Sequence, residues 1–231
     1  MQVGRLNNQA LARLELLEVR RVAATRKRIE SESGLAESRA RTSRRDELLT
    51  VASSLFAERG LRTTTVRDIA DSAGILSGSL YHHFDSKESM VDEILRSFLD
   101  SLFDTYHEVV AAGMPARETL RALVVASFES IDRDHYAVAI YQDEAKRLST
   151  QDRFAYIRDR NVEFRTLWKD VLNRGVADGS FRRDLDVELV YRFMRDTVWV
   201  AVRWYRPGGE LTAHQVAEQY LSVVLDGIIP R

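Results

Sequence analysis

Proline occurs only three times in this chain of 231 residues, at positions 115, 207 and 230. A proline inside a helix removes one hydrogen bond and collides with the preceding turn, so long proline-free stretches leave helix unopposed. Within those stretches apolar residues recur three and four apart, which is the helical period. The chain therefore reads as all-α, and the connections 178–184 and 206–211, the second holding Arg206-Pro207-Gly208-Gly209, are its clearest later breaks.

The pattern sharpens at Ser43. Leu48, Leu49, Ala52, Leu55 and Phe56 share one helix face, and Gly60 ends that helix as a C-terminal glycine usually does. Thr64 and Thr65 offer N-caps for a helix from Val66 to Ala73, Gly74 supplies a residue able to turn with positive φ, and Ser77 is expected to cap a short third helix through His83. Two short helices joined by a glycine turn make a helix-turn-helix. Asp85 or Ser86 then caps a long helix from Lys87 to about Ala112, and further helices are predicted from Pro115 to Asp132 and over 134–148, 152–177, 186–205 and 212–226. Residues 1–42 carry few large apolar side chains beyond Leu11, Leu14, Leu16 and Leu17, and are expected to form a disordered or loosely helical basic extension.

Charge is unevenly placed. Residues 1–45 hold 11 Lys/Arg against 5 Asp/Glu, and the remainder 23 against 30. A basic front suits a polyanion, although solvated charge runs are the commoner case. The segment 44–96, with 7 basic and 9 acidic residues, is itself not net basic. With no cysteine, disulfides, thiolate metal sites and cysteine nucleophiles are excluded. No apolar run approaches the roughly 20 residues of a membrane span, and a cytoplasmic location without membrane association is the expectation.

In a helix-turn-helix the second helix enters the major groove with its first residues toward base edges. Here that helix is Ser77-Gly78-Ser79-Leu80-Tyr81-His82-His83-Phe84. Leu80 and Phe84, four apart, are expected to face inward with Ile69, Ala70 and Ile75, leaving Ser77, Gly78, Ser79, Tyr81 and His82 outside. Small residues at 77–79 let the helix end approach closely. Thr64 and Thr65 at the start of the preceding helix, Lys87 at the start of the next, and Arg44 and Arg45 upstream complete the candidate double-stranded DNA contacts. Taken singly these are ordinary caps and solvated residues. His82 and His83 do not make a metal pair, because neighbours on a helix point about 100° apart; no metal and no cofactor is expected.

Thr63-Thr64-Thr65-Val66-Arg67-Asp68-Ile69-Ala70 through Gly74, then Leu80-Tyr81-His82-His83-Phe84 and Ser86-Lys87-Glu88, resembles the N-terminal domain of the TetR repressor family over roughly fifty residues. The resemblance implies that Tyr81 and Lys87 hold phosphates, that Thr65, Ser77, Ser79 and His82 lie at the DNA surface, and that the chain is a homodimer. It further implies a helix-turn-helix DNA-binding domain over 43–88 followed by a helical ligand-binding and dimerisation domain over 89–231.

The later helices combine aromatics with arginines. Phe154, Ile157, Asn161, Phe164, Trp168 and Val171 recur at helical spacing, flanked by Arg158 and Arg165, and Tyr141, Arg147, Arg192, Arg195 and Trp199 lie on neighbouring predicted helices. Core packing explains each residue alone. Together they suit a ligand with an apolar body and an anionic end, since guanidinium forks bind phosphate and carboxylate bidentately. Residues 141–148 and the run from Asp184 through Tyr191-Arg192-Phe193, Trp199 and Arg203-Trp204-Tyr205-Arg206-Pro207 resemble the TetR branch governing late steps of cholesterol-ring degradation. That resemblance implies release from DNA by a CoA thioester of a steroid-ring breakdown product. Leu189, Val190, Phe193, Thr197, Val200 and Trp204, then Val216, Tyr220, Val223 and Val224, form broad apolar faces suited either to a core or to pairing across a two-fold axis.

Two alternatives fit parts of this inventory. A TetR-type repressor of an efflux gene would use the aromatics for many lipophilic compounds without needing CoA phosphates. An acyl-CoA-processing enzyme would need catalytic groups, and the sequence offers no cysteine, no glycine-rich phosphate loop and only the scattered His107, His135 and His214 outside the DNA-reading segment. No catalytic residue is expected.

Overall fold

The computed structural model describes residues 43–228, with side chains to 225; the expected basic extension over 1–42 lies outside the described residues. Among the described residues there is no β-strand, as the proline-poor helical spacing predicted. The described residues fall into two packing units, 43–48 and 49–228. The first is the opening of helix α1, which runs over 43–59, and it contains the Arg44–Glu47 ion pair at 2.6 Å.

In the second unit α1 ends at Gly60, whose φ of +86° only glycine adopts without strain. Helix α2 (Val66–Ser72) is fixed by a capping box. The Thr65 hydroxyl accepts from the Asp68 N–H at 3.1 Å, and the Thr65 N–H donates back to the Asp68 carboxylate at 2.7 Å. Gly74, at φ +66°, makes the turn into α3 (Ser77–Leu80). Here the expectation is corrected twice. Leu76, not Ser77, is the residue flanking the helix, and the helix stops at Leu80 instead of reaching His83. Beyond Leu80 the chain tightens into turns, with His82 N–H on the Ser79 carbonyl and His83 N–H on the Leu80 carbonyl, a winding that still buries both Leu80 and Phe84.

Helix α4 (Lys87–Ala111) starts at the Ser86 cap and buries Met90, Val91, Ile94, Leu95, Phe98, Leu99, Leu102, Phe103 and Tyr106 along one stripe. Helix α5 (Ala116–Arg133), flanked by Pro115, is the hub: it packs against α4, α6 (His135–Leu148), α7 (Tyr156–Ala177), α8 (Val187–Val200) and α9 (Ala213–Ile228). Of its buried hydroxyls, Ser127 donates to the Leu123 carbonyl and accepts from Tyr106 of α4 at 2.6 Å, so this pair of polar groups is satisfied in the core.

The predicted segment 152–177 divides into a 3₁₀ turn, Asp152–Phe154, and α7, because the fully buried Phe154 anchors the joint. The segment 186–205 likewise passes from α8 into a 3₁₀ turn, Ala201–Arg203. Gly175 in α7 lies flat beneath Phe181: a Cβ there would fall 2.2 Å from the ring. Complete burial of a phenylalanine such as Phe181 contributes about 1.5–3 kcal/mol, and glycine is what lets that ring in.

Candidate nucleic-acid interface and ligand cavity

The outer face of the helix-turn-helix is assembled as expected in most respects. Gly78, Tyr81 and His82 are exposed, and Ser77 and Ser79 are half-buried at the same helix end. A Cβ on Gly78 would meet nothing within 4 Å, so packing inside the chain does not require glycine there. Arg44 keeps its ion pair with Glu47, and Arg45 is half-buried.

Three expected DNA contacts have duties inside the fold. Thr64 is 1 % exposed, and its hydroxyl donates to the carbonyls of Gly60 (2.9 Å) and Leu55 (3.2 Å). Buried, it has no surface to offer DNA, which corrects the expected contact: the hydroxyl next to the cap closes the end of α1 instead. Thr65 is exposed, but its hydroxyl proton goes to the Asp68 carboxylate at 2.6 Å. Hydrogen bonds from that hydroxyl and from the Thr65 backbone hold the Asp68 carboxyl below its ordinary value. Lys87 is half-buried, and its ammonium donates to the carbonyls of Leu61 (2.6 Å) and Thr64 (2.9 Å). With two of three donors on backbone, Lys87 ties α4 to the α1–α2 turn and keeps one donor for an outside acceptor. Sequence reasoning missed Leu76, which is 80 % exposed beside this face. Its signal was available: an apolar residue stands where a polar cap is preferred.

Between α4, α6, α7 and α8 lies a cavity of about 60 Å³. Of the ten predicted ligand residues, Tyr141, Phe164, Arg195 and Trp199 line it. The Phe98 ring meets Tyr141 and Trp199 edge-on at 5.9 and 6.1 Å, and Trp168 stacks behind Phe164 at 5.4 Å. The Tyr141 hydroxyl donates to Asn161 Oδ1 at 2.9 Å, and burial pushes its pKa up to about 12, so it is a neutral donor at physiological pH. Arg195 stands over the Tyr191 ring at the cavity edge, and Arg160, also in the lining, is held by Asp100 and Glu163.

Arg165 and Arg192 lie outside the cavity and converge, with Lys169, on the single carboxylate of Glu188 at 2.8–3.0 Å. Hydrogen bonds from Arg165, Lys169 and Arg192 hold that carboxyl down at about 2. Three cations on one anion leave this α7–α8 face net positive.

Arg147, Phe154 and Arg158, expected with the others, do not line this cavity. Arg147 follows Tyr141 by six residues, about 240° around the helix, and pairs with Glu144 on the outer surface. Phe154 is core, and Arg158 binds the Ser149 carbonyl. The lining from α4, namely Phe98, Leu99, Leu102 and Phe103, was missed because its apolar stripe has the same pattern as any core-facing helix.

The apolar face of α8 is largely open, with Phe193 67 % accessible and Leu189 and Val200 exposed, as are Trp204 and Leu211 in the connection beyond it; on α9 Val223 is open, Tyr220 and Val224 are half-buried and Val216 is buried. A groove of about 1130 Å³ runs between the two helices.

Residues 48–94 match the family model described as bacterial regulatory proteins, tetR family, and residues 113–228 match the tetracyclin repressor-like C-terminal domain. The chain belongs to the TetR family. Its TetR relatives include the HTH-type transcriptional repressor KstR2 of Rhodococcus jostii, 68 % identical over 188 residues, which are 81 % of this chain and 92 % of that protein. The KstR2 of Mycobacterium tuberculosis is 64 % identical over 186 residues, 80 % of this chain and 93 % of that one. The solved structure of that ketosteroid transcriptional regulator matches at 63 % identity with a TM-score of 0.80, covering 81 % of this chain and 96 % of the other. As in TetR proteins generally, the N-terminal helix-turn-helix makes this chain a DNA-binding transcriptional regulator.

Proposed function

We propose that this chain is a homodimeric transcriptional repressor of steroid-degradation genes, released from its operator by the CoA thioester of a steroid-ring catabolite. Residues 43–88 read the operator, and 89–231 bind the ligand and form the dimer. The observation that carries the reading is 62–68 % identity, over nearly the whole length of each relative, to four proteins named as KstR2 repressors.

The ligand class is supported by the site's chemistry. Tyr141, Phe164 and Trp199 offer ring faces, Tyr141 a neutral hydroxyl, and Arg195 with the Arg165–Lys169–Arg192 face a set of cations for phosphates. At about 60 Å³ the cavity is far below the ~300 Å³ and more of a drug-sized site, so a ligand must part its walls. Helix α4 supplies one of those walls and also begins at Lys87, the residue that fixes the α1–α2 turn. Displacement of α4 therefore reaches the helix-turn-helix directly. Ligand shifts the population toward a dimer whose two reading heads no longer fit sites ~34–36 Å apart, and does so only by its differential affinity for that shape. The dimer is supported by the α8–α9 face, since apolar patches of this kind on a single chain mark partner surfaces.

The test is a gel-shift titration on the gene's own upstream promoter DNA, with CoA thioesters of steroid-ring fragments and with free CoA. Release by a thioester and not by free CoA is expected. Specific DNA binding undisturbed by any thioester would keep the repressor and discard the ligand.

A further inference from the structure

Leu76 breaks two rules at once. It flanks the N-terminus of α3, where Ser, Thr, Asp or Asn would supply an oxygen to the first free N–H groups. Leucine cannot, and α3 has no side-chain cap at all, whereas α2, α4 and α8 are each capped through Thr65, Ser86 and Asp186. Leu76 also leaves its isobutyl group 80 % exposed, more than any other large apolar residue among those described. The fold gains nothing from leucine here on either count.

A residue that violates local preference and stays this open among the described residues is explained by what it meets outside. Its surroundings define that neighbour. Leu76 flanks the N-terminus of α3, two residues before Gly78, where a Cβ would meet nothing within 4 Å, and five before the 57 % exposed Tyr81, at the end of the helix that a helix-turn-helix places in the major groove. There the four base pairs differ in their hydrogen-bonding edges, and one group alone is apolar, the C5 methyl of thymine. Leucine has no donor or acceptor with which to read any other edge.

We propose that Leu76 is a specificity-determining residue that packs against a thymine methyl in each operator half-site. This rests on the DNA-binding reading above, and the experiment separates the two. Operator duplexes are prepared in which one symmetric pair of thymidines at a time is replaced by deoxyuridine, which removes only the methyl group. Binding is measured for the wild type, Leu76→Ala and Leu76→Asn.

Losing contact with one methyl weakens binding about fourfold per half-site, or about fifteenfold for the pair. The wild type is expected to show this at one thymine position, and both variants are expected to bind the two duplexes there equally. Leu76→Asn carries a second signature: it adds the missing cap, so its melting temperature is expected to rise by about 3 °C while its operator affinity falls. Wild-type indifference to deoxyuridine at every position, or undiminished sensitivity in Leu76→Ala, overturns the proposal. Failure of the wild type to bind the promoter specifically overturns the DNA-binding reading, and the proposal with it.

Discussion

Gly175→Ala adds one methyl group to the last turn of α7, a change that in a helix interior usually stabilises by about 1 kcal/mol. Here the opposite is expected. The new Cβ would lie 2.2 and 2.3 Å from two ring carbons of Phe181, against an ordinary contact distance of 3.4 Å or more. The ring must retreat by more than about 1 Å, yet it has no room, being fully buried. Its backbone is also pinned, because the Phe181 N–H donates to the Gly175 carbonyl at 2.8 Å. Overpacking of this kind costs about 1–3 kcal/mol, and expulsion of the ring about 3–5. Less the helix gain, the net loss is about 2 kcal/mol, or roughly 6 °C in melting temperature for a chain of this size. Urea unfolding at fixed protein concentration should show the midpoint lowered by about 1 M with the slope unchanged. Adding Phe181→Leu should recover part of the loss, since the two changes share one contact. A melting temperature equal to or above that of the wild type would refute the steric argument.

Lys87→Met should lower operator affinity and the melting temperature together, because it strands the Leu61 and Thr64 carbonyls; a residue serving only as a phosphate contact would leave melting unchanged. Glu188 has its folded pKa depressed from 4.5 to about 2, so its ion pairs contribute stability above about pH 4.5 that is lost as pH falls toward 2. In Glu188→Gln the fall of melting temperature across that window should be shallower than in the wild type. Phe193→Asp places a charge on the open α8 face and should give a folded monomer by sedimentation, with operator affinity reduced at least a hundredfold.

The helices were legible because proline and glycine punctuate them and their apolar spacing is regular; Gly60 and Gly74 fell where turns with positive φ were needed. The short third helix was misread at both ends, since Ser77 looked like a cap and the tightening after Leu80 depends on burying Phe84, a tertiary demand with no local signature. Thr64 and Thr65 are adjacent and chemically alike, and only the packed end of α1 decides that one hydroxyl turns inward. Tyr141 and Trp199 both line the small cavity. Arg147 and Arg158 do not, because an arginine's composition says nothing about which side of its helix faces a neighbour.

The open face formed by Ser77, Gly78, Ser79, Tyr81 and His82 carries no side-chain hydrogen bond among the described residues, while Thr64, Lys87 and Gly74 behind it hold the turn in shape. Exposure and support are thus assigned to different side chains. Exchanges on such a face usually change stability by less than about 0.5 kcal/mol, so a duplicated gene can acquire a new operator preference by single steps without passing through an unfolded intermediate. Divergence among such regulators should concentrate on these five positions and on Leu76, and leave the three behind them untouched.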